Sequence, residues 1–145
     1  MKTDVDAIKV LIVEDNAIYR QSLYRMLQQD EGMVMLEPAE DGLEALEKSA
    51  RLRPDVILMD IDMPEQDGLL AAQRIRQRWP EVKLIILTLH SSEAFQAWAE
   101  EVGDAAFFFK DAGPDEIVRA IRMASSLIPR GLQRGWGGGR GTLID

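Results

Sequence analysis

The chain has no cysteine, a single histidine, and 17 basic residues set against 25 acidic ones. Without cysteine it can build no disulfide scaffold, thiolate–zinc site, iron–sulfur cluster or cysteine nucleophile, and this composition suits a reducing compartment. The lone His90 excludes metal sites built on two imidazoles. It also leaves a hydrolytic triad only one candidate base, and Ser91-Ser92 beside it lacks a Gly-x-Ser-x-Gly elbow. The formal net charge of −8 argues against nucleic-acid binding by this chain, because phosphate contacts need a basic surface. No apolar run approaches the roughly 18 residues of a membrane span. The opening Met1-Lys2-Thr3-Asp4-Val5-Asp6 also lacks the basic and apolar regions of a signal peptide. A soluble, cytoplasmic protein with no membrane partner is the expectation.

What remains is a chain of 145 residues, 46% of them apolar, which suits one domain with a sizeable core. Glycine is unevenly spread: six of the 11 fall between Pro129 and Asp145, alongside three Arg and one Asp. Such a segment buries too little apolar surface to offset its ordering entropy, so residues 128–145 read as a flexible Gly/Arg tail, either appended for expression or a truncated linker. The folded domain is expected over residues 8–127.

Within that body, short apolar runs alternate with longer amphipathic ones. Lys9–Val13, Met33–Leu36, Val56–Met59, Lys83–Leu87 and Ala106–Phe109 read as strands. Asn16 caps an expected helix to Gln29, with Ile18, Leu23, Met26 and Leu27 along one side. Asp41 caps a second helix bearing Leu43, Leu46 and Ala50, and a third carries Leu69, Leu70, Ile75 and Trp79 before Pro80. Ser91 or Ser92 caps a fourth, with Phe95, Trp98 and Val102. Gly113-Pro114 opens the last, with Ile117, Ile121 and Leu127 on its apolar side. Five strands each followed by a helix imply an α/β fold, a parallel sheet covered on both faces. Ligands of such sheets bind beyond the carboxyl ends of the strands.

The residues expected there are chemically complementary. Strand one ends in Glu14-Asp15, strand three in Asp60 with Asp62 two residues on, strand four in Thr88 and strand five in Lys110. Gathered carboxylates repel one another unless a cation joins them, and an all-oxygen set points to a hard ion, Mg²⁺. A hydroxyl and an ammonium facing that ion complete a site for a phosphoryl group, with a carboxylate available as nucleophile. Singly, each residue is ordinary: Asp60 or Thr88 as a helix cap, Lys110 as a surface lysine. The combination over four strand ends carries the reading.

The stretches Val10-Leu11-Ile12-Val13-Glu14-Asp15-Asn16, Pro54-Asp55-Val56-Ile57-Leu58-Met59-Asp60-Ile61-Asp62-Met63-Pro64, Asp67-Gly68, Leu87-Thr88 and Phe109-Lys110 resemble the receiver domain of two-component response regulators, over about residues 8–127. The resemblance implies a flavodoxin-like (CheY-like) doubly wound sheet of order 2-1-3-4-5. It implies that Asp60 takes a phosphoryl group from a sensor histidine kinase and that the domain is a signalling switch, not an enzyme with an external substrate. Asp15 and Asp60 would hold Mg²⁺ by carboxylate, Asp62 by its backbone carbonyl and Glu14 through water. Thr88 and Lys110 would bind phosphoryl oxygens, and Thr88 with Phe107 would form the switch. A second copy of the chain is admitted as a partner beside the kinase.

Two departures narrow the resemblance. Leu89-His90 follows Thr88 where Ala or Gly is common, and Lys110-Asp111-Ala112 replaces the frequent Lys-Pro. Both resemble the branch with LuxR-type helix-turn-helix outputs. Phe107 stands where Tyr is frequent, so a switch there works by packing alone. Two alternatives remain: a phosphatase of the haloacid dehalogenase type, whose Asp-x-Asp motif precedes its acidic pair, and a phosphorylation-independent interaction module. In the first the motif order is the reverse of this chain's, and in the second the complete acidic set has no use. Residues 129–145 lack a helical apolar period, so the chain is expected to be the receiver of a longer transcription regulator whose DNA binding resides in an output domain absent from this chain, the alternative being a stand-alone receiver that acts through protein contacts.

Overall fold

In each strand successive side chains point to opposite faces, so an uninterrupted apolar run demands cover on both sides. The computed structural model, which describes residues 7–60, 67–88, 106–110 and 113–126, meets that demand. Only the backbone is described for Asp67, Thr88, 106–109 and Ser126. Five strands, β1 (Ile8–Val13), β2 (Met33–Met35), β3 (Val56–Asp60), β4 (Lys83–Thr88) and β5 (Ala106–Phe109), form one parallel sheet in the order β2-β1-β3-β4-β5. The helices are α1 (Ala17–Gln28), α2 (Gly42–Leu52), α3 (Asp67–Arg78) and α4 (Pro114–Ser126). The helix expected around Phe95–Val102 and the residues Asp62, His90 and 128–145 lie outside the described residues.

The alternation divides the core in two. Leu11, Val13, Ile57, Met59, Leu84 and Ile86 pack on one face with Ala45 of α2 and Ala71, Ala72 and Ile75 of α3. Val10, Ile12, Val56, Leu58, Ile85 and Leu87 pack on the other with Leu23 and Leu27 of α1 and Ile117, Ala120 and Ile121 of α4. Trp79, just past α3, is 9% exposed and closes the first core. The Arg53 and Arg78 guanidinium groups each lie 5.9 Å from its ring centre.

The expected caps form. Asn16 Oδ1 accepts the Tyr19 N–H at 2.9 Å and Asp41 Oδ1 accepts the Glu44 N–H at 2.9 Å, each satisfying an orphan donor of a first helical turn. Pro114 takes the first position of α4, where a missing N–H costs nothing, and Gly113 O accepts from Glu116 and Ile117. The turn from α1 into β2 is tied to α4: Arg122 Nη2 donates to both oxygens of Asp30 at 2.7 Å, and Asp30 Oδ1 also accepts the Gly32 N–H at 2.7 Å.

Of the expected core stripes, Leu23, Met26 and Leu27 of α1 and Leu46 of α2 do pack on the cores, but three residues are corrected. Ile18 is 82% exposed and Leu43 77% exposed, and Ala50 is exposed as well. The buried residues of α2 are instead Gly42, Ala45, Lys48 and Ser49. Lys48 buries its apolar stem while its ammonium donates to Pro38 O at 2.6 Å and pairs with Glu37 and Glu44. Ile18 sits in the first turn of α1, just after the carboxyl end of β1.

Candidate functional site

Strand register brings the acidic residues to one level. Val13 pairs with Met59 and Asp60 with Leu87, so Glu14, Asp60 and Thr88 leave three adjacent strands at the same edge. Thr88 in turn pairs with Phe109, which delivers Lys110 beside them. The loop after β1 is held by its backbone: Glu14 N donates to Ala39 O at 3.0 Å, Ala39 N to Ile12 O at 2.8 Å, and Arg20 Nη1 to Glu14 O at 2.8 Å. The start of α1 acts on the same residue, since the Asn16 N–H donates to Glu14 Oε2 at 3.1 Å.

Carboxylate oxygens of Glu14, Asp15 and Asp60 all lie within 4.8 Å of one another. Glu14 is 1% exposed and Asp60 2%, whereas Asp15 is open to solvent. The Lys110 ammonium is 3.1 Å from Glu14 Oε1 and 3.1 Å from Asp60 Oδ1, so one cation is shared by two buried anions. That leaves negative charge in excess. Burial pushes the Glu14 carboxyl up from 4.5 to about 7, the Asp60 charge adds to the rise, and the Asn16 N–H and Lys110 oppose it. Lys110 is raised from its ordinary value: burial alone would lower it, but the Asp60 and Glu14 carboxylates together favour the ammonium more strongly.

Glu14 Oε1 is buried and, among the described residues, has no aligned hydrogen-bond donor beyond its short approach to Lys110. A buried carboxylate oxygen that only shares an ammonium, an excess of negative charge and an all-oxygen donor set fit a hard divalent cation such as Mg²⁺. The open Asp15 leaves such an ion a route from solvent. Chemically, the pole combines an acidic triad with an ammonium on a buried carboxylate, the parts needed to hold and neutralise a phosphoryl group.

Of the residues expected at the site, Glu14, Asp15, Asp60 and Lys110 are brought together. The backbones of Thr88 and Phe107 stand at their expected places in β4 and β5, Phe107 opposite Ile86, while their side chains and all of Asp62 lie outside the described residues. Sequence reasoning overlooked Tyr19, whose ring centre is 4.9 Å from Lys110 Nζ and whose hydroxyl donates to Lys110 O at 3.4 Å. The available signal was its helical spacing from the acidic pair, which turns position 19 back toward the strand ends.

Fold and site together define a CheY-like α/β domain. Residues 10–122 match the family model described as the response regulator receiver domain. The chain belongs to that family, and so to the signalling domains of two-component systems. It is 36% identical over 116 residues to the response regulator GacA of Pseudomonas syringae pv. syringae, a match covering 80% of this chain and 54% of that protein. Among solved structures it resembles a LuxR-family two-component response regulator from Aurantimonas sp. SI85-9A1, with TM-score 0.74, 28% identity, and coverage of 83% of this chain and 86% of that one. It also resembles the response regulator domain of Thermotoga maritima CheB, with TM-score 0.73, 30% identity, and coverage of 85% and 99%. The chain spans about half the length of the curated response regulators it matches. Among the described residues no helix is long and apolar enough to cross a membrane.

Proposed function

We propose that Asp60 is the phosphoryl acceptor of this receiver domain. The observation supporting this is the Lys110 ammonium at 3.1 Å from a buried Asp60 carboxylate, with Glu14 and Asp15 beside it. In the transfer, an Asp60 oxygen forms a bond to phosphorus as the phosphorus–nitrogen bond of a kinase phosphohistidine breaks. The products are an acyl phosphate and an imidazole that keeps the departing electron pair. Asp15 and Asp60 by carboxylate, Asp62 by its carbonyl and Glu14 through water would hold Mg²⁺, which supplies neutralisation of phosphoryl oxygens when bound. Lys110 stabilises the same oxygens from the other side and the Thr88 hydroxyl donates to one of them. Drawn inward, Thr88 vacates space that Phe107 fills, and this changes the face formed with α4.

On this reading the receiver covers residues 8–127 and residues 128–145 form a tail. The chain catalyses only its own phosphorylation and dephosphorylation, in the cytoplasm. Its partners are a sensor histidine kinase and a second copy of itself, and it controls transcription through an output domain of the longer protein. Acetyl phosphate with Mg²⁺ tests the acceptor. Mass spectrometry should find one phosphoryl group, on Asp60, in the parent and none in Asp60→Asn; undiminished labelling of the variant would refute the assignment.

A further inference from the structure

We infer that Tyr19 is a positioning residue for Lys110, an inference that rests on the phosphoacceptor reading for its effect on rate but not for its geometry. Lys110 follows the last strand and its ammonium has to reach two carboxylates, Glu14 just after β1 and Asp60 at the end of β3. A long side chain with four rotatable bonds does not hold such a position by itself. Tyr19 meets it on two sides. The ring centre lies 4.9 Å from Lys110 Nζ, within the range of an attractive cation–π contact, and the hydroxyl donates to the Lys110 carbonyl at 3.4 Å. One residue of α1 thus grips both the backbone and the charged end of the lysine.

The chemistry of the wall matters as much as its position. An aliphatic side chain at position 19 would desolvate the ammonium and return nothing. A carboxylate would add a further anion to a pole that already has too many. An aromatic face attracts the cation without competing for the metal or the phosphoryl group, so the ammonium stays directed at Glu14 and Asp60. Tyr19 is itself half-buried against the α1–α4 core, so the wall is fixed.

The test compares parent, Tyr19→Phe and Tyr19→Leu. The Lys110 ammonium resonance in nitrogen-15-labelled protein should move in Tyr19→Leu, through loss of the ring current and of the fixed position, and should stay near its parental place in Tyr19→Phe. Phosphorylation of Asp60 by acetyl phosphate should slow by about fivefold to thirtyfold in Tyr19→Leu, the span of a desolvated cation–π contact, and by less than about threefold in Tyr19→Phe. Rescue by Phe separates this role from simple loss of packing, and amide spectra verify that both variants are folded. A parental rate in a folded Tyr19→Leu, or an ammonium resonance that does not move, overturns the inference. A parent that takes no label on Asp60 refutes the acceptor reading instead, and the resonance, which needs no phosphodonor, still decides the role of Tyr19.

Discussion

Glu14 shows how the site trades stability for function. Its carboxyl, ordinarily near 4.5, is pushed to about 7 by burial and by the neighbouring Asp60. An unfolded chain releases that proton near 4.5 while the folded one retains it to about 7, so between these values the folded state binds more protons. Stability therefore falls as pH rises through that window, by up to about 3 kcal/mol, and the loss is complete above it. Glu14→Gln removes this titration. In EDTA, the melting temperature of the parent relative to Glu14→Gln should decline from pH 5 to pH 7.5, and Mg²⁺ should restore the parent but not the variant. Parallel pH profiles would show that Glu14 is not strained. Glu14, Asp15, Asp60 and Lys110 were legible in the sequence because each closely follows or ends an apolar run, so strand and site are marked by the same residues. Tyr19 was not, because an aromatic residue at helical spacing reads equally as core, and only the path of Lys110 shows what it faces.

At the level of elements, punctuation was more legible than burial. Asn16 and Asp41 accept first-turn N–H groups as their positions before amphipathic runs implied. Replacing either by Ala should cost about 1 kcal/mol, read as a lower urea midpoint with an unchanged slope. In Asn16→Ala the backbone N–H to Glu14 is retained, so the variant should lose stability while phosphorylation on Asp60 persists. A midpoint unmoved in both variants would show that solvent serves these helix ends as well as the caps do. The face of α2 was only partly legible, since Leu46 packs on the core as expected but Leu43 is exposed while Lys48 and Ser49 are buried. The sequence pattern weighs hydrophobicity, but the buried positions of this helix include the small residues Gly42, Ala45 and Ser49, which such a pattern does not single out. A carbonyl at Pro38, supplied by a loop well before Lys48, then compensates the burial of a lysine. Neither influence can be read from helical periodicity alone.

The sheet of the whole molecule separates chemistry from stability. Its two described core layers are built on β1, β3 and β4, while the carboxylates and Lys110 collect at a single edge with Tyr19, which also packs on one of the layers. Strand number and order were legible because parallel strands covered on both faces must be apolar throughout and must be joined by helices, and because the motifs at their ends resemble a family of known strand order. Charge sets the last expectation. The chain carries −8 overall although residues 129–145 contribute three Arg and one Asp, so the body is more acidic than the whole. A phosphoryl group on Asp60 adds further negative charge at a pole where carboxylates already outnumber cations. Contacts to DNA phosphates require the opposite sign, and a few arginines supply only weak attraction that salt screens. Fluorescence anisotropy with duplex DNA at physiological salt should therefore give no sequence-dependent binding, with or without acetyl phosphate. Any attraction at low salt should vanish when residues 129–145 are deleted. A sequence-dependent complex that survives physiological salt, or low-salt binding that survives the deletion, would place a DNA-binding surface on the receiver body itself.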